Sequence, residues 1–121
     1  MSLDMQQAKE FDAEWIAAWN AHDLERILSH YHDDFTMRSP LIIQLMNEPS
    51  GALHGKAQIR PYWAKGLAAQ PPIQFELLDV LLGVNSLTIY YYSVGRVNVA
   101  ETLIFNEAGQ ITQGMAQYSV G

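Results

Sequence analysis

After Pro71-Pro72 the apolar residues of this chain change period. Before that point they recur at the three-to-four-residue spacing of one helical face; after it they fall into short runs rich in β-branched and aromatic residues, the habit of strands. Phe11, Trp15 and Trp19 stand four residues apart, with Ala8, Ile16 and Ala18 widening the stripe, so a first helix buries that face. Asn20-Ala21-His22-Asp23 breaks it, and Asp23 is the N-cap expected for a short second helix turning Leu24, Ile27, Leu28 and Tyr31 inward. Asp33-Asp34 then leads into a short strand, Phe35 to Ser39, closed by Pro40. Leu41 to His54 reads ambiguously: an apolar run is followed at once by Pro49, Ser50 and Gly51, which fits either a flap over a site or an extra strand. Gly55 to Gln70 returns to helical spacing through Ile59, Trp63 and Leu67, and Pro61 is expected to kink that helix or shift its start.

Ile73 to Val84, Ser86 to Val94, Val97 to Phe105 and Ile111 to Val120 read as strands, separated by turn-like Asn85-Ser86, Gly95-Arg96 and Asn106 to Gly109. Helices first and antiparallel strands after them make an α+β layout, a curved sheet wrapping the helices. No repeat or linker divides the chain, so its 121 residues form one domain, and 49% hydrophobic content supplies a core.

Seven basic against 13 acidic residues leave a net charge of −6, and no basic run occurs, which argues against nucleic-acid or anionic-membrane partners. The absence of cysteine removes disulfides, thiolate metal sites and cysteine nucleophiles. No apolar run is long enough to span a bilayer, and the N-terminus lacks a signal pattern, so a cytoplasmic protein is expected. Met1-Ser2-Leu3 fits an expression remnant and carries no functional weight.

Within Val97 to Phe105, strand alternation puts Val97, Val99, Leu103 and Phe105 on one apolar face with Glu101 in its middle. A carboxylate on such a stripe must be paired, protonated or facing a cavity. The partners available for a structural role are Arg38, Arg60 or a tyrosine hydroxyl.

Three segments carry a family likeness: Trp15 to Leu24, an aromatic-led helix ending in an Asn-x-x-Asp break; Leu53 to Arg60 followed by Tyr62-Trp63; and the hairpin Leu103 to Ile111. In order and spacing they resemble the nuclear transport factor 2-like superfamily, in particular its ketosteroid isomerase-like and SnoaL-like branches. The resemblance implies a cone-shaped α+β fold, three N-terminal helices packed on a strongly curved, mostly antiparallel sheet, with a deep pocket between them. It also implies homodimers packed through the open sheet face. Such folds host isomerases, cyclases, hydrolases and plain binding modules.

In the ketosteroid isomerase-like branch an Asp just before a Pro shuttles the proton; here Ser39 precedes Pro40, and an unactivated serine is no base near neutral pH. The family pairs a first-helix Tyr with a protonated strand acid. These positions match Trp15, which offers an indole N–H, and Glu101. A further supporting Tyr matches Trp63, and Tyr118 matches a pocket-lining aromatic position. Losing both family tyrosine hydroxyls implies a drier, narrower pocket, in which Glu101 has a raised pKa and acts as donor or general acid.

The candidate site is therefore Glu101 as acid, with Trp15, Met37, Ser39, His54, Trp63, Leu103 and Tyr118 around a ligand. Trp15 is the expected second donor, and His54 is the one nearby candidate base if its loop folds inward, though a surface loop position is the favoured reading for it. Trp19 reads as core, and of Tyr90, Tyr91 and Tyr92 alternation admits either Tyr91 or the outer pair to the cavity. His30-Tyr31-His32 beside Asp33-Asp34 lacks ligand spacing and reads as a solvated helix end, so neither metal nor cofactor is expected. The expected ligand is a small, mainly apolar, cyclic ketone-like or polyketide-like molecule undergoing acid-assisted isomerisation or cyclisation. The alternatives are a non-catalytic binding or dimerisation module whose cone is filled by its own side chains, and an epoxide hydrolase-like Asp-Arg-Asp site. The latter is disfavoured because alternation turns Arg38 away from the pocket.

Overall fold

The computed structural model describes residues 3–95 and 97–120; Met1 and Ser2 of the expected remnant, and Arg96 of the Gly95-Arg96 turn, lie outside them. The chain opens with α1 (Met5–Asn20), capped by an Asp4 carboxylate that accepts from the Gln7 N–H, and α2 (Leu24–Leu28), capped as expected by Asp23. Strand β1 (Tyr31–Arg38), helix α3 (Pro40–Met46), strand β2 (Ala52–His54) and helix α4 (Lys56–Leu67) follow. The chain ends with the strands β3 (Glu76–Gly83), β4 (Ser86–Ser93), β5 (Val97–Phe105) and β6 (Ile111–Tyr118). One six-stranded sheet runs in the order β2-β1-β6-β5-β4-β3, antiparallel throughout except for the parallel β1–β6 pair.

Where expectation and structure differ, local chemistry explains it. Tyr31 opens β1 instead of closing α2, and Asp33 and Asp34 are exposed residues within that strand, next to a register shift against β6. The ambiguous Leu41 to His54 segment resolves into both a helix and a strand. Ser39 caps α3 by accepting from the Leu41 N–H at 3.2 Å, Pro40 takes the first helical position, and Asn47 ends it in the left-handed region at φ 52°. That adds a helix to the three expected. Helix α4 runs through Pro61, which removes one internal bond without ending it.

The inner face of the sheet is set by alternation. On β5 Val99, Glu101, Leu103 and Phe105 are all buried, and their cross-strand partners on β4, Leu87, Ile89 and Tyr91, are buried with them. The α1 stripe packs into this concavity: Trp15 stacks on Phe75 at 6.0 Å between centroids, and Trp19 meets Trp63 edge-to-face at 5.2 Å. Asn20 fixes that geometry. Its side-chain amide donates to the Phe75 carbonyl (2.9 Å) and accepts from the Phe75 N–H (2.7 Å), so the break after α1 also holds the segment entering β3. Gly114, opposite Met37 on β1, leaves room for that side chain; a Cβ there would sit 3.0 Å from the Met37 sulfur.

One core residue escaped the sequence reading. Asp12, on the buried side of α1, is 1% exposed, and its Oδ1 has no hydrogen-bond partner. Burial, and then the like charge of Asp79 on β3, push its pKa up to about 6. Because the folded value lies above the unfolded one, stability is greatest below about pH 4 and falls as pH rises through about 6. Asp12→Asn is therefore expected to raise Tm at pH 8, by an amount corresponding to about 2–3 kcal/mol, and to leave it nearly unchanged at pH 4. Paired thermal melts at the two pH values check this; equal shifts at both would contradict it.

Candidate functional site

Between α1, α3, α4 and the concave sheet lies a cavity of about 330 Å³. Helix α1 contributes Trp15 and Trp19, β1 Met37, α3 Leu41 and Leu45, and α4 Tyr62 and Trp63. Ile73 and Phe75 before β3, Tyr91 on β4, Glu101 on β5 and Tyr118 on β6 complete the inner wall. Among the described residues, neither Lys nor Arg lines it. The wall is apolar apart from a few hydroxyls and one carboxyl group.

Glu101 is 6% exposed, and among the described residues its one hydrogen bond is from the Tyr91 hydroxyl to Oε1, at 3.0 Å. Burial pushes its pKa up to about 7, and the Tyr91 bond offsets part of that rise. The partners open to it in sequence were Arg38, Arg60 or a tyrosine hydroxyl, and the tyrosine takes the place. Arg60 pairs with Glu25 on the surface, and Arg38 lies outside the cavity beside an open groove. The carboxyl group is thus desolvated with no cationic partner among the described residues, and its pKa is raised toward neutral.

The aromatic hydroxyls divide into two sets. The Trp15 N–H donates to the Tyr31 hydroxyl at 3.1 Å, which corrects the expectation that Trp15 offers a donor to a ligand. Tyr62 donates to Ser39 Oγ at 3.3 Å, and the Tyr118 hydroxyl also interacts with Ser39. Burial pushes Tyr62 up to about 12, with Ser39 offsetting part of the shift and Glu101 adding to it. Tyr118 moves the same way, chiefly through burial and then the Glu101 charge. Tyr62, Tyr91 and Tyr118 therefore restore hydroxyls to a wall that Trp15 and Trp63 were expected to leave drier.

Of the residues expected at the site, the structure gathers Trp15, Met37, Trp63, Glu101 and Tyr118 around the cavity. Ser39, 3% exposed, lies behind Tyr62 and Tyr118 and reaches the cavity through them. Two expectations need correction. Leu103 shares the Glu101 face but is packed between Leu87 and Gly114 on the neighbouring strands and does not reach the cavity lining. His54 is exposed on β2, its Nδ1 2.9 Å from the Thr36 hydroxyl, because strand pairing with β1 turns it outward; it is no base for this cavity. Trp19, read as core, lines the cavity, and its Nε1 is buried without an acceptor. Tyr62 was missed although it adjoins Trp63 in a quoted motif, since helical spacing through Ile59, Trp63 and Leu67 gave it no inward role. His30 engages Glu14 at 3.1 Å, and no cluster of three or more metal-ligating side chains occurs among the described residues.

A family model for the SnoaL-like domain matches residues 13–113. The chain belongs to the SnoaL-like family. This places it in the nuclear transport factor 2-like superfamily, with the α+β cone expected from the three motifs. A SnoaL-like protein of unknown function from Burkholderia thailandensis is 40% identical over 99% of this chain and 100% of its own, with a TM-score of 0.94. AclR from Streptomyces galilaeus, a proposed hydroxylase, shares the fold at 19% identity and a TM-score of 0.74, over 96% of this chain and 81% of its own. A proposed ketosteroid isomerase from Kribbella flavida does so at 13% identity and 0.74, over 96% and 80%. No curated protein matches the chain. No helix among the described residues of this SnoaL-like protein is long and apolar enough to cross a membrane.

The raised Glu101 pKa predicts a stability profile separate from that of Asp12. Its folded value exceeds the usual carboxyl value, so the wild type loses stability as pH rises from about 4.5 through about 7. Glu101→Gln should melt higher than wild type at pH 8, on the order of 10 °C, and alike at pH 4; differential scanning calorimetry reads both.

Proposed function

We propose that this SnoaL-like protein binds a small, mainly apolar molecule of one or two rings in the cavity, with a carbonyl oxygen against Glu101. The observation that carries this reading is the carboxyl group itself: buried in an apolar wall, with no cationic partner among the described residues and a pKa pushed up to about 7. A neutral carboxylic acid in such a place is a strong hydrogen-bond donor, and a pKa near the working pH is where proton donation is most effective. The volume of 330 Å³ lies at the lower end of the roughly 300–1,000 Å³ of small-molecule sites, which favours one or two rings over a four-ring steroid.

As an enzyme, the protein would act by acid assistance of an isomerase or cyclase kind. In a cyclisation, a substrate bound as its enol forms the new carbon–carbon bond while the attacked carbonyl oxygen takes the Glu101 proton, and the enol O–H becomes a carbonyl by releasing the proton that re-forms the Glu101 acid. The chain's residues favour this division of labour. Ser39, at the family's base position, already accepts from the Leu41 N–H and the Tyr62 O–H, and His54 faces away. An open cavity speaks against a cone filled by its own side chains, and the absence of Asp and Arg from the lining among the described residues speaks against an Asp-Arg-Asp water-activating site.

Pairing through the open sheet face belongs to the same proposal. Cross-strand register puts Leu81, Thr88, Thr102 and Met115 in one row across the outer face, and Leu81 is 55% exposed there with Leu78 beside it on the edge strand. A second copy of the chain would cover these residues.

Two outcomes are expected. Affinity for a two-ring ketone, read by tryptophan fluorescence, stays level below about pH 6 and falls about tenfold per pH unit above about 7, since the protonated acid is the donor. Glu101→Gln keeps a donor and flattens that profile while abolishing turnover; an unaltered profile in the variant would sink the assignment. Light scattering should give twice the chain mass for the wild type and a single chain mass for Leu81→Lys.

A further inference from the structure

The hydroxyl inventory behind the cavity wall is unequal in a way that selects a ligand. A serine hydroxyl has one hydrogen to give and two lone-pair sites to fill. At Ser39 the Leu41 N–H takes one lone pair at 3.2 Å, and the Tyr62 O–H takes the other at 3.3 Å. Tyr118, on the same wall, donates no hydrogen bond among the described residues, so its O–H is left uncommitted. Tyr62 is the reverse: its hydrogen is committed to Ser39 and its lone pairs are open. Both tyrosines line the cavity, and Ser39 is 3% exposed and anchored as the N-cap of α3, so it cannot turn away to release either.

We infer that the cavity has a second recognition pole, made of the Tyr118 donor and the Tyr62 acceptor and set by Ser39, and that its ligand is a compact hydroxy-ketone. The inference rests on the proposed role of Glu101, which answers the ketone oxygen. A ligand hydroxyl answers the second pole completely, accepting from Tyr118 while donating to Tyr62. A second carbonyl or an ether would satisfy Tyr118 alone, and a bare hydrocarbon edge would leave both tyrosines buried without partners. A carboxylate fits neither pole, because the wall already holds Glu101 and the described residues that line it include neither Lys nor Arg. Tyr62 and Tyr118 are thus specificity-determining residues, and Ser39, which acts through them, is a positioning residue. The groups facing this pole and Glu101 are the hydroxyls of Tyr31 on β1, Tyr62 on α4, Tyr91 on β4 and Tyr118 on β6, all of them neutral at working pH.

Isothermal titration calorimetry at about pH 6, where Glu101 is protonated, tests this with tetralone and its ring-hydroxylated isomers as probes. In the wild type at least one hydroxylated isomer should bind about tenfold tighter than tetralone, the scale of one well-placed buried hydrogen bond. Tyr118→Phe and Tyr62→Phe should each erase that preference, so that no hydroxylated isomer binds tighter than tetralone in either variant. Ser39→Ala should lower the preference and Ser39→Thr restore it, whereas a purely structural serine would weaken both probes alike. The second pole is overturned if tetralone binds in a Glu101-dependent way but no isomer is preferred, or if the preference survives in both Phe variants. If tetralone itself fails to bind, or binds without regard to pH and to Glu101→Gln, the reading of Glu101 falls and the second pole falls with it.

Discussion

Much of this molecule depends on how the aromatic stripe of α1 sits in the concave sheet. Trp15 and Trp19 pack against Phe75, Trp63 and Tyr91, so one helix touches α4, the segment before β3 and the sheet at once. Rings of this size bury a large apolar area but cannot fill a cone to its mouth. Both tryptophans also line the cavity, so the rings that seat the helix form part of its wall. The two Asn20 hydrogen bonds to Phe75 then decide how close the helix and the strand entry come, and with that the width of the cavity between them.

Into this apolar wall the chain places acids that oppose folding. Asp12 and Glu101 are both buried with no cationic partner among the described residues, and both have pKa values raised above the ordinary carboxyl range. A sequence under pressure for stability alone would place Asn, Gln or an aliphatic residue at such positions. The two differ in surroundings. Glu101 looks into a cavity and holds a tyrosine hydroxyl; Asp12 packs between α1 and β3, and its Oδ1 has no partner. The first is where ligand chemistry can offset the destabilisation, and the structure offers no such use for the second.

The hydroxyls show how a family site is rebuilt when its residues change. Trp15 and Trp63 stand where the resemblance implies tyrosines, and the Trp15 N–H is tied to Tyr31. Tyr62, Tyr91 and Tyr118 supply hydroxyls from α4, β4 and β6 instead. Ser39, replacing a base, becomes the hub that orders two of them.

The chain's local chemistry carried a good part of this picture. Alternation on β5 flagged Glu101, four-residue spacing defined α1, Asp23 announced the α2 cap, and three loose motifs in the right order pointed to the cone. The Ser39-Pro40 pair was a readable start signal for α3, missed because Pro49, Ser50 and Gly51 follow so soon. Other features had no one-dimensional signal. Whether His54 faced in or out depended on its pairing with Thr36, and Leu103 was kept from the cavity by neighbours on two other strands. The choice of Tyr91 over Arg38 or Arg60 as the Glu101 partner required a cross-strand register, and the Ser39, Tyr62 and Tyr118 cluster required three elements to converge. Periodicity and capping act between residues a few positions apart, so the sequence by itself determined the elements, their buried faces and the misplaced acid. Hydrogen-bond partners and cavity walls are set by distances between residues remote in the chain, so only the tertiary structure decided what that acid meets.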